Sequence, residues 1–379
     1  MSPITLFPLL ISLASLLLQP DEVEILFAGD AMQHQSQLDA AHRGSGMYDY
    51  SECFKAIAPY VRSADYAVVN LECPLGGEPY SGYPMFGAPD EYAAALRDAG
   101  FDLALTANNH TLDRRDKGLR RTLSVLDSLG IRHTGTFAPA ESRNDSVPLI
   151  VDVRGFRIAF LNYTYGTNGI RHGAGVAVNM IDTAMIRRDI ERALHSGAEI
   201  VAVCPHWGIE YRMLPEKSQR ILAGKILDMG ADMIIGAHPH VIQPMEFEED
   251  SMGRGKLKVY SLGNFLSGMR TAETRGGTTV TVTLRRDRTG RAYIAGAVYR
   301  PVFTLTPLPA SGENFRLIWS DTPVTDKIRE TQRKDFERSA TEIFDRYNVN
   351  VPRDTVPMQQ VVKRRALRER HYLSNYDAD

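Results

Sequence analysis

Cysteine and net charge are both scarce in this sequence, and each scarcity excludes a class of protein. The 379 residues include 3 cysteines, and 44 basic residues against 46 acidic ones give a net charge of −2. Cys53, Cys73 and Cys204 are widely spaced and form no Cys-x-x-Cys pair, so neither a disulfide scaffold nor a zinc knuckle is predicted. The lack of a basic excess argues against a nucleic-acid partner, and none is expected.

Long apolar runs are also lacking, apart from one near the N-terminus. Residues 4–18 are apolar except for two serines and a threonine. This run is shorter than the about 20 residues that span a bilayer, and its length is typical of a signal-peptide core. No Lys or Arg precedes it and no clean Ala-x-Ala site follows. We predict a signal peptide or membrane anchor over residues 1–20 and an exported or membrane-attached protein facing the periplasm or cell envelope. The alternative is a terminal helix or strand packed on a cytoplasmic protein.

What remains is an ordinary globular composition, with 43% hydrophobic and 24% charged residues. After Pro20, strand-like apolar runs alternate with amphipathic helix patterns, and later strand-like runs follow one another without helices. This order predicts a layered α/β sandwich with mixed sheets over residues 21–306. A linker and a C-terminal helical extension are predicted over 307–379. The basic stretch Lys363–Arg370 is interpreted as a solvated helical face or as a contact for an anionic polymer or membrane.

Polar side chains with metal-ligating chemistry follow five of the predicted strands. The carboxyl ends of strands in an α/β sheet share one edge, so residues distant in sequence are expected to meet there. Carboxylates, an amide and imidazoles together suit Zn²⁺, Mn²⁺ or Fe better than Ca²⁺, and they exceed what one tetrahedral metal needs. A pair of metals sharing a bridging carboxylate would use them all. The residues are Asp30, Glu72, Asn109, His110, His206, His238 and His240.

Each of these residues also has an ordinary structural explanation. A histidine after a strand is often only a hydrogen-bonding residue, an Asp after a Gly can be a helix N-cap, and Asn-Asn is common in turns. These explanations weaken when all strand ends carry such residues together. The sequence therefore predicts a metal site rather than a set of unrelated turns.

Six short motifs make the sequence recognisable, and they occur in order over about 240 residues. With them the chain resembles the capsule and poly-gamma-glutamate synthesis protein family (CapA), a branch of the calcineurin-like metallophosphoesterase superfamily. The resemblance implies a four-layer α/β/β/α sandwich with two divalent metal ions. The motifs are Phe27–Met32, Asn70–Leu75, Ala107–Asp113, His206–Glu210, Gly230–His240 and Ser261–Phe265.

The resemblance also implies a role for each residue. Asp30 matches a ligand of the first metal, and Glu72 takes the place of the bridging carboxylate. Asn109 and His206 match ligands of the second metal, while His238 and His240 match a closing pair with one histidine for each metal. His110 matches the histidine that contacts the phosphate and protonates the leaving group.

Two further residues are interpreted as possible additions to the site. The superfamily usually has Asp-x-His after the first strand, whereas this chain has Asp30, Ala31 and Met32. His34 would face the same side as Asp30 if a helical turn began there. Asn264, in the family's Ser-Leu-Gly-Asn-Phe motif, belongs either at the rim of the cleft or in a structural turn.

The favoured function is a metal-dependent hydrolase or transferase of the phosphoesterase type, acting on a phosphoester of an envelope polymer. Two alternatives stay open, because fold and ligands alone do not separate them: a non-hydrolytic metal-binding component of a capsular-polymer assembly, and an amide-bond hydrolase. The expected partners are an anionic small-molecule or polymer substrate and membrane-bound capsule-synthesis proteins. Arg43, Arg114 and Arg212 are candidate contacts for the substrate anion, with a solvated surface role as the alternative.

Overall fold

The computed structural model describes residues 22–249 and 254–361. The predicted signal peptide or anchor at 1–20 and the basic stretch at 363–370 lie outside these residues. In the part of the chain that is described, no helix combines the length and the apolar character needed to cross a bilayer.

Strands and helices alternate through most of the described chain. The strands are β1 (Glu22–Ala31), β2 (Tyr66–Leu71), β3 (Leu103–Leu105), β4 (Arg132–Thr134), β5 (Thr136–Phe137), β6 (Leu149–Val153), β7 (Phe156–Thr164), β8 (Ala177–Val178), β9 (Ile200–His206), β10 (Met233–Ile235), β11 (Met245–Glu249), β12 (Gly255–Val259), β13 (Asn264–Leu266), β14 (Gly276–Arg286), β15 (Ala292–Leu305) and β16 (Arg316–Trp319). The helices are α1 (Gln35–Ala41), α2 (Ala58–Val61), α3 (Asp90–Ala99), α4 (Arg115–Leu129), α5 (Arg143–Ser146), α6 (Thr183–His195), α7 (Lys217–Asp228) and α8 (Lys327–Tyr347).

Fourteen of the strands form one mixed sheet in the order β4-β3-β2-β1-β14-β15-β12-β10-β9-β7-β6. β13 pairs with β1, β16 with β15 and β11 with β12, while β5 and β8 pair separately. The pairing of Ile294 in β15 with Gly255 in β12 joins two groups of strands within this sheet. We call β1–β4 and β13–β16 the first half, and β6, β7 and β9–β12 the second half.

The two halves pack face to face around a central apolar core. The rings of Phe27 in β1 and Phe160 in β7 lie 6.3 Å apart, and Tyr66 stacks on Phe160 at 5.6 Å. Phe336 and Phe344 of α8 contribute to the same core. Because burial of each large apolar side chain stabilises the fold by about 1.5–3 kcal/mol, this shared core holds the halves together.

Helices cover the outer face of each half. On the first half, α2, α3 and α4 pack against alternate residues of the strands, such as Leu26 and Val69. On the second half, α6 and α7 pack in the same way against residues such as Leu161 and Val203. The layers therefore run helix, sheet, sheet, helix, and the predicted α/β/β/α sandwich with a C-terminal helix is confirmed.

Local signals in the sequence set the ends of the long helices. Pro89 precedes α3, two carboxylates occupy its first turn, and Gly100 ends it with a φ of 110°, a conformation that glycine adopts without a Cβ penalty. The Asp326 side chain accepts a hydrogen bond from the Arg329 N–H at the start of α8. The short elements α1, β13 and β16 carry no comparable signal and were not predicted.

Candidate metal centre

The predicted ligands converge at the edge of the sandwich where parallel strands of both halves end. Asp30 lies near the end of β1 and His206 is the last residue of β9. Glu72 directly follows β2. Asn109 and His110 follow β3, and His238 and His240 follow β10. All seven side chains belong to residues that are at most 3% exposed.

Asp30 is positioned by a close approach between β1 and β13. Its N–H donates to the carbonyl of Gly263 at 3.0 Å, and it pairs in parallel register with Asn264. A Cβ at Gly29 would overlap the Gly263 carbonyl oxygen. Only glycine therefore permits this approach, which explains the Gly-Asp pair at the end of the strand.

Side chains of the first half contact side chains of the second half directly at the site. Asp30 Oδ2 lies 3.0 Å from His240 Nδ1, and Asn109 Oδ1 lies 2.8 Å from His206 Nε2. Glu72 Oε1 lies 3.4 Å from His206 Nε2 and 3.7 Å from His240 Nε2. The first half supplies oxygen donors to these contacts and the second half supplies nitrogen donors.

These donors fit divalent cations. Two groups have ligand atoms within 4.8 Å of one another, Glu72 with His238 and His240, and Asp30 with Glu72 and His206. Among the described residues, Glu72 Oε1 and His238 Nδ1 are buried without a hydrogen-bond partner, and a cation would satisfy both atoms. The mixed oxygen and nitrogen set suits Mn, Zn or Fe, and Glu72 is common to the two groups.

Burial and like charge shape the ionisation of the site. Burial, followed by the neighbouring charge of Asp30, raises the pKa of Glu72 well above its usual value. Burial also lowers the pKa of His206 well below its usual value and that of His238 to about 3. Both imidazoles are consequently neutral near pH 7, which is the form that ligates metals.

The loop that carries His238 and His240 has an unusual backbone. Their φ angles are 101° and 58°, in the left-handed region that residues other than glycine seldom occupy. Such conformations cost of order 1–3 kcal/mol each and concentrate at functional sites. The backbone around Pro239 is therefore held in place by the rest of the structure.

Asn70 and Asp113 also belong to the site, although sequence reasoning assigned them no role. Asn70 Nδ2 donates to Asp30 Oδ1 at 2.8 Å and lies 3.3 Å from Glu72 Oε2, so it orients both carboxylates. Asp113 Oδ2 lies 2.8 Å from His110 Nδ1. A sequence signal existed for Asn70, because alternate residues on a strand face the same side as Glu72.

Of the two possible additions to the site, Asn264 contacts a predicted ligand and His34 does not belong to a ligand group. Asn264 Oδ1 lies 3.1 Å from His240 Nδ1, so Asn264 orients a predicted ligand. No helical turn begins at Asp30, because β1 continues to Ala31 and α1 begins only at Gln35. His34 Nδ1 instead accepts a hydrogen bond from the Gly268 N–H at 3.1 Å, and His34 belongs to neither ligand group found among the described residues.

The three candidate arginines have different surroundings. Arg114 donates to the Phe86 carbonyl at 3.1 Å and to Ser81 Oγ at 2.7 Å, so it holds the loop whose Phe86 ring contacts His110 at 4.6 Å. Arg43 lies 3.8 Å from a carboxylate and donates to a carbonyl. Arg212 is exposed. Arg114 is therefore a positioning residue for the loop, which is a role the sequence did not indicate.

Fold and site together define a four-layer α/β protein with buried groups that could bind metal. The family model described as "Bacterial capsule synthesis protein PGA_cap" matches residues 24–269, which is more than half of the chain. The chain belongs to this family.

Individual relatives share about a quarter of their residues with this chain. "Capsule biosynthesis protein CapA" of Bacillus anthracis is 27% identical, over 71% of this chain and 66% of the relative. "PGA biosynthesis protein CapA" of Bacillus subtilis (strain 168) is 28% identical, over 69% and 68%. This chain thus spans about two thirds of their lengths. Among solved structures, Haemophilus influenzae NAD nucleotidase matches with a TM-score of 0.46 and 14% identity, over 92% of this chain and 60% of that one.

Proposed function

We propose that this protein is a metal-dependent hydrolase that cleaves a phosphoester in cell-envelope polymer metabolism. The observation that carries the proposal is the pair of ligand groups sharing Glu72 next to the buried pair His110 and Asp113. Two divalent ions, Mn, Zn or Fe, would lower the pKa of water and offset the negative charge that develops on the phosphate.

His110 would serve as the proton donor to the leaving oxygen. Its Nδ1 lies 2.8 Å from the Asp113 carboxylate, which keeps a proton on Nδ1 and fixes the ring. Nε2 is then the nitrogen that exchanges a proton with the substrate. Asp113 is itself held by the N–H of Phe86 at 2.8 Å, and the Phe86 ring packs against His110.

The polymer context is supported by the relatives, whose names describe capsule and PGA biosynthesis. We propose the same context for this chain, with membrane-bound synthesis proteins as partners and an anionic substrate. The match covers about two thirds of those relatives, so the activity and partners of the whole proteins are carried over only as part of this proposal.

An envelope location is consistent with the position of the site. β1 runs from Glu22 to Ala31, so its first residue lies at the end of the sandwich opposite Asp30. A cavity of about 260 Å³ at that end is lined by Glu22, Glu24 and Val361, so both ends of the described chain lie there. We propose that residues 1–20 attach the protein to a membrane or direct its export, with the metal site facing away.

The test is hydrolysis of a panel of phosphomonoesters, phosphodiesters and gamma-glutamyl peptides by metal-loaded protein. We expect turnover of a phosphoester, and we expect His110→Gln to lower kcat at least about 100-fold with unchanged metal content. His195→Gln is the control, because His195 is exposed on α6.

The other outcomes would overturn the proposal in distinct ways. Cleavage of gamma-glutamyl peptides alone would favour an amide-bond hydrolase. Metal-loaded protein that cleaves nothing in the panel, yet supports polymer production in cells, would favour an assembly component. Wild-type phosphoester turnover by His110→Gln would refute the role of His110 alone.

A further inference from the structure

Two exposed tyrosines lie beside the metal centre. Tyr165 is 47% exposed and Tyr211 is 55% exposed. Exposed aromatic rings at the mouth of a polar site are a typical means of binding the apolar part of a ligand. The reaction proposed above uses none of these rings.

Tyr165 and Tyr211 stand at the two ends of a row of ligand imidazoles. The Tyr165 ring lies 4.6 Å from the His238 ring and nearly parallel to the His206 ring at 6.5 Å. The Tyr211 ring lies 6.3 Å from the His240 ring. Since the imidazoles of His238 and His240 are 5.8 Å apart, the two tyrosines flank the centre.

Backbone hydrogen bonds fix both tyrosines to the segments that carry the ligands. The Tyr165 N–H donates to the His206 carbonyl at 3.0 Å, and the Tyr211 N–H donates to the Pro239 carbonyl at 2.8 Å. Tyr211 also has a φ of 66°, which is rare for a bulky residue. The backbone that carries each ring is therefore fixed before a ligand binds, which lowers the entropy lost on binding.

The charge at this rim disfavours a chain of repeated carboxylates. Glu210 directly precedes Tyr211 and is exposed, so it places a carboxylate at this rim. Arg212 is exposed one residue after Tyr211, so one phosphate could still be attracted. Two aromatic faces next to a carboxylate suit a compact ring better than a polyanion.

We propose that Tyr165 and Tyr211 bind the ring of a ring-bearing phosphoester, a sugar phosphate or an aryl phosphate, while its phosphate lies at the metal centre. This inference rests on the proposed phosphoesterase function and names its substrate class. Contact with the ring supplies binding energy away from the reacting atoms, and this energy can orient the phosphate for attack. Tyr165 and Tyr211 are thus specificity-determining residues.

The test separates binding from turnover. Affinities of metal-loaded protein are measured for phenylphosphonate and methylphosphonate, which differ by the ring and are not hydrolysed. We expect phenylphosphonate to bind about tenfold more tightly, since stacking of one ring on an aromatic side chain is worth about 1–3 kcal/mol. Tyr165→Ala with Tyr211→Ala should abolish this preference, and Tyr165→Phe with Tyr211→Phe should retain it.

Metal content and turnover complete the test. All variants should keep wild-type metal content, because the two tyrosines are proposed to bind the substrate and not to hold the imidazoles in place. If they only covered the imidazoles, the alanine variant would lose metal. Values of kcat/KM of the wild type and the alanine variant are then compared for glucose 1-phosphate, phenyl phosphate and glycerol 3-phosphate, which has no ring. A loss in the alanine variant with glucose 1-phosphate alone indicates that the ring is a sugar. A loss with phenyl phosphate alone indicates an aryl group.

Two results would overturn the inference. One is a wild-type protein that binds the two phosphonates equally, and the other is a preference that survives in the alanine variant. A tyrosine-dependent preference for phenylphosphonate in a protein that hydrolyses no phosphoester would refute the proposed function and leave the ring site standing. Phosphoester turnover without a preference for phenylphosphonate would refute the ring site and leave the proposed function standing.

Discussion

The two halves of the sandwich differ in what they bring to the site. The first half contributes the oxygen donors Asp30, Glu72 and Asn109, and the second half contributes the nitrogen donors His206, His238 and His240. Among the described residues, both ligand groups span the halves, since each combines Glu72 with one or two histidines of the second half. The site therefore exists only when both halves are packed together.

This division gives the shared core a functional meaning. The Phe27 ring of β1 packs against the Phe160 ring of β7 across the halves. The end of β1 carries Asp30, and the last residue of β7 pairs with His206. A metal ion bound by both halves would in turn link them, because a ligand that binds only the folded state stabilises it. Packing and metal binding should support each other.

The largest expected effect comes from removing the nitrogen donors of the second half. His238→Ala with His240→Ala should lower metal content to background. The group with Glu72 loses both of its histidines, and Asp30 of the other group loses the imidazole that lies 3.0 Å from its carboxylate. Metal should raise the free energy of unfolding of the wild type, by about 2.7 kcal/mol at 100 times Kd, and leave the double variant unchanged. Elemental analysis and urea denaturation with and without metal check both.

His195→Ala is the matched control for this double variant, as it removes an exposed histidine of the second half. Wild-type metal content in the His238 and His240 variant would contradict the prediction, because His206 and the oxygen donors of the first half would then suffice.

A smaller effect concerns His34, a half-buried histidine between β1 and α1 that belongs to neither ligand group. Burial, followed by the charge of His240, lowers its pKa to about 4, below the value of about 6.5 in the unfolded chain. Between these values the unfolded state binds more protons, so the free energy of unfolding falls as the pH falls. The loss approaches about 1.4 kcal/mol per pH unit.

Metal-free protein is the material for this measurement. Urea unfolding at pH 7 and pH 5 should show a smaller decrease for His34→Gln than for the wild type, with a difference of up to about 2 kcal/mol. Equal decreases in the two proteins would show that His34 is accessible to protons in the folded state.

The sequence predicted the long elements of the fold because their signals are local. Proline and glycine mark the ends of α3, and apolar spacing defines the buried faces of α4. The strand ends that carry Asp30, Glu72 and His206 were also predicted, because a polar residue after an apolar run is visible without any structure. The short strand β13 was missed, since its three residues gain their order from pairing with β1.

The contacts between side chains could not be predicted in the same way. Asp113 was visible within its motif, but its contact with His110 depends on the conformation of the loop after β3. Arg114 was one candidate for a substrate contact, with a solvated surface role as the alternative, whereas its guanidinium donates to backbone carbonyls of the loop around Phe86. The helical turn that would have turned His34 toward Asp30 does not form, because the pairing of β1 with β2 and β13 extends through Ala31.

Whether the two halves share a metal site can be seen by anomalous diffraction from crystals grown with Mn²⁺, because this method locates each bound ion relative to both halves. We expect two adjacent peaks, each within coordinating distance of Glu72 and of at least one histidine of the second half. Peaks bound by residues of one half alone, or no peak at Glu72, would contradict a site shared by the halves.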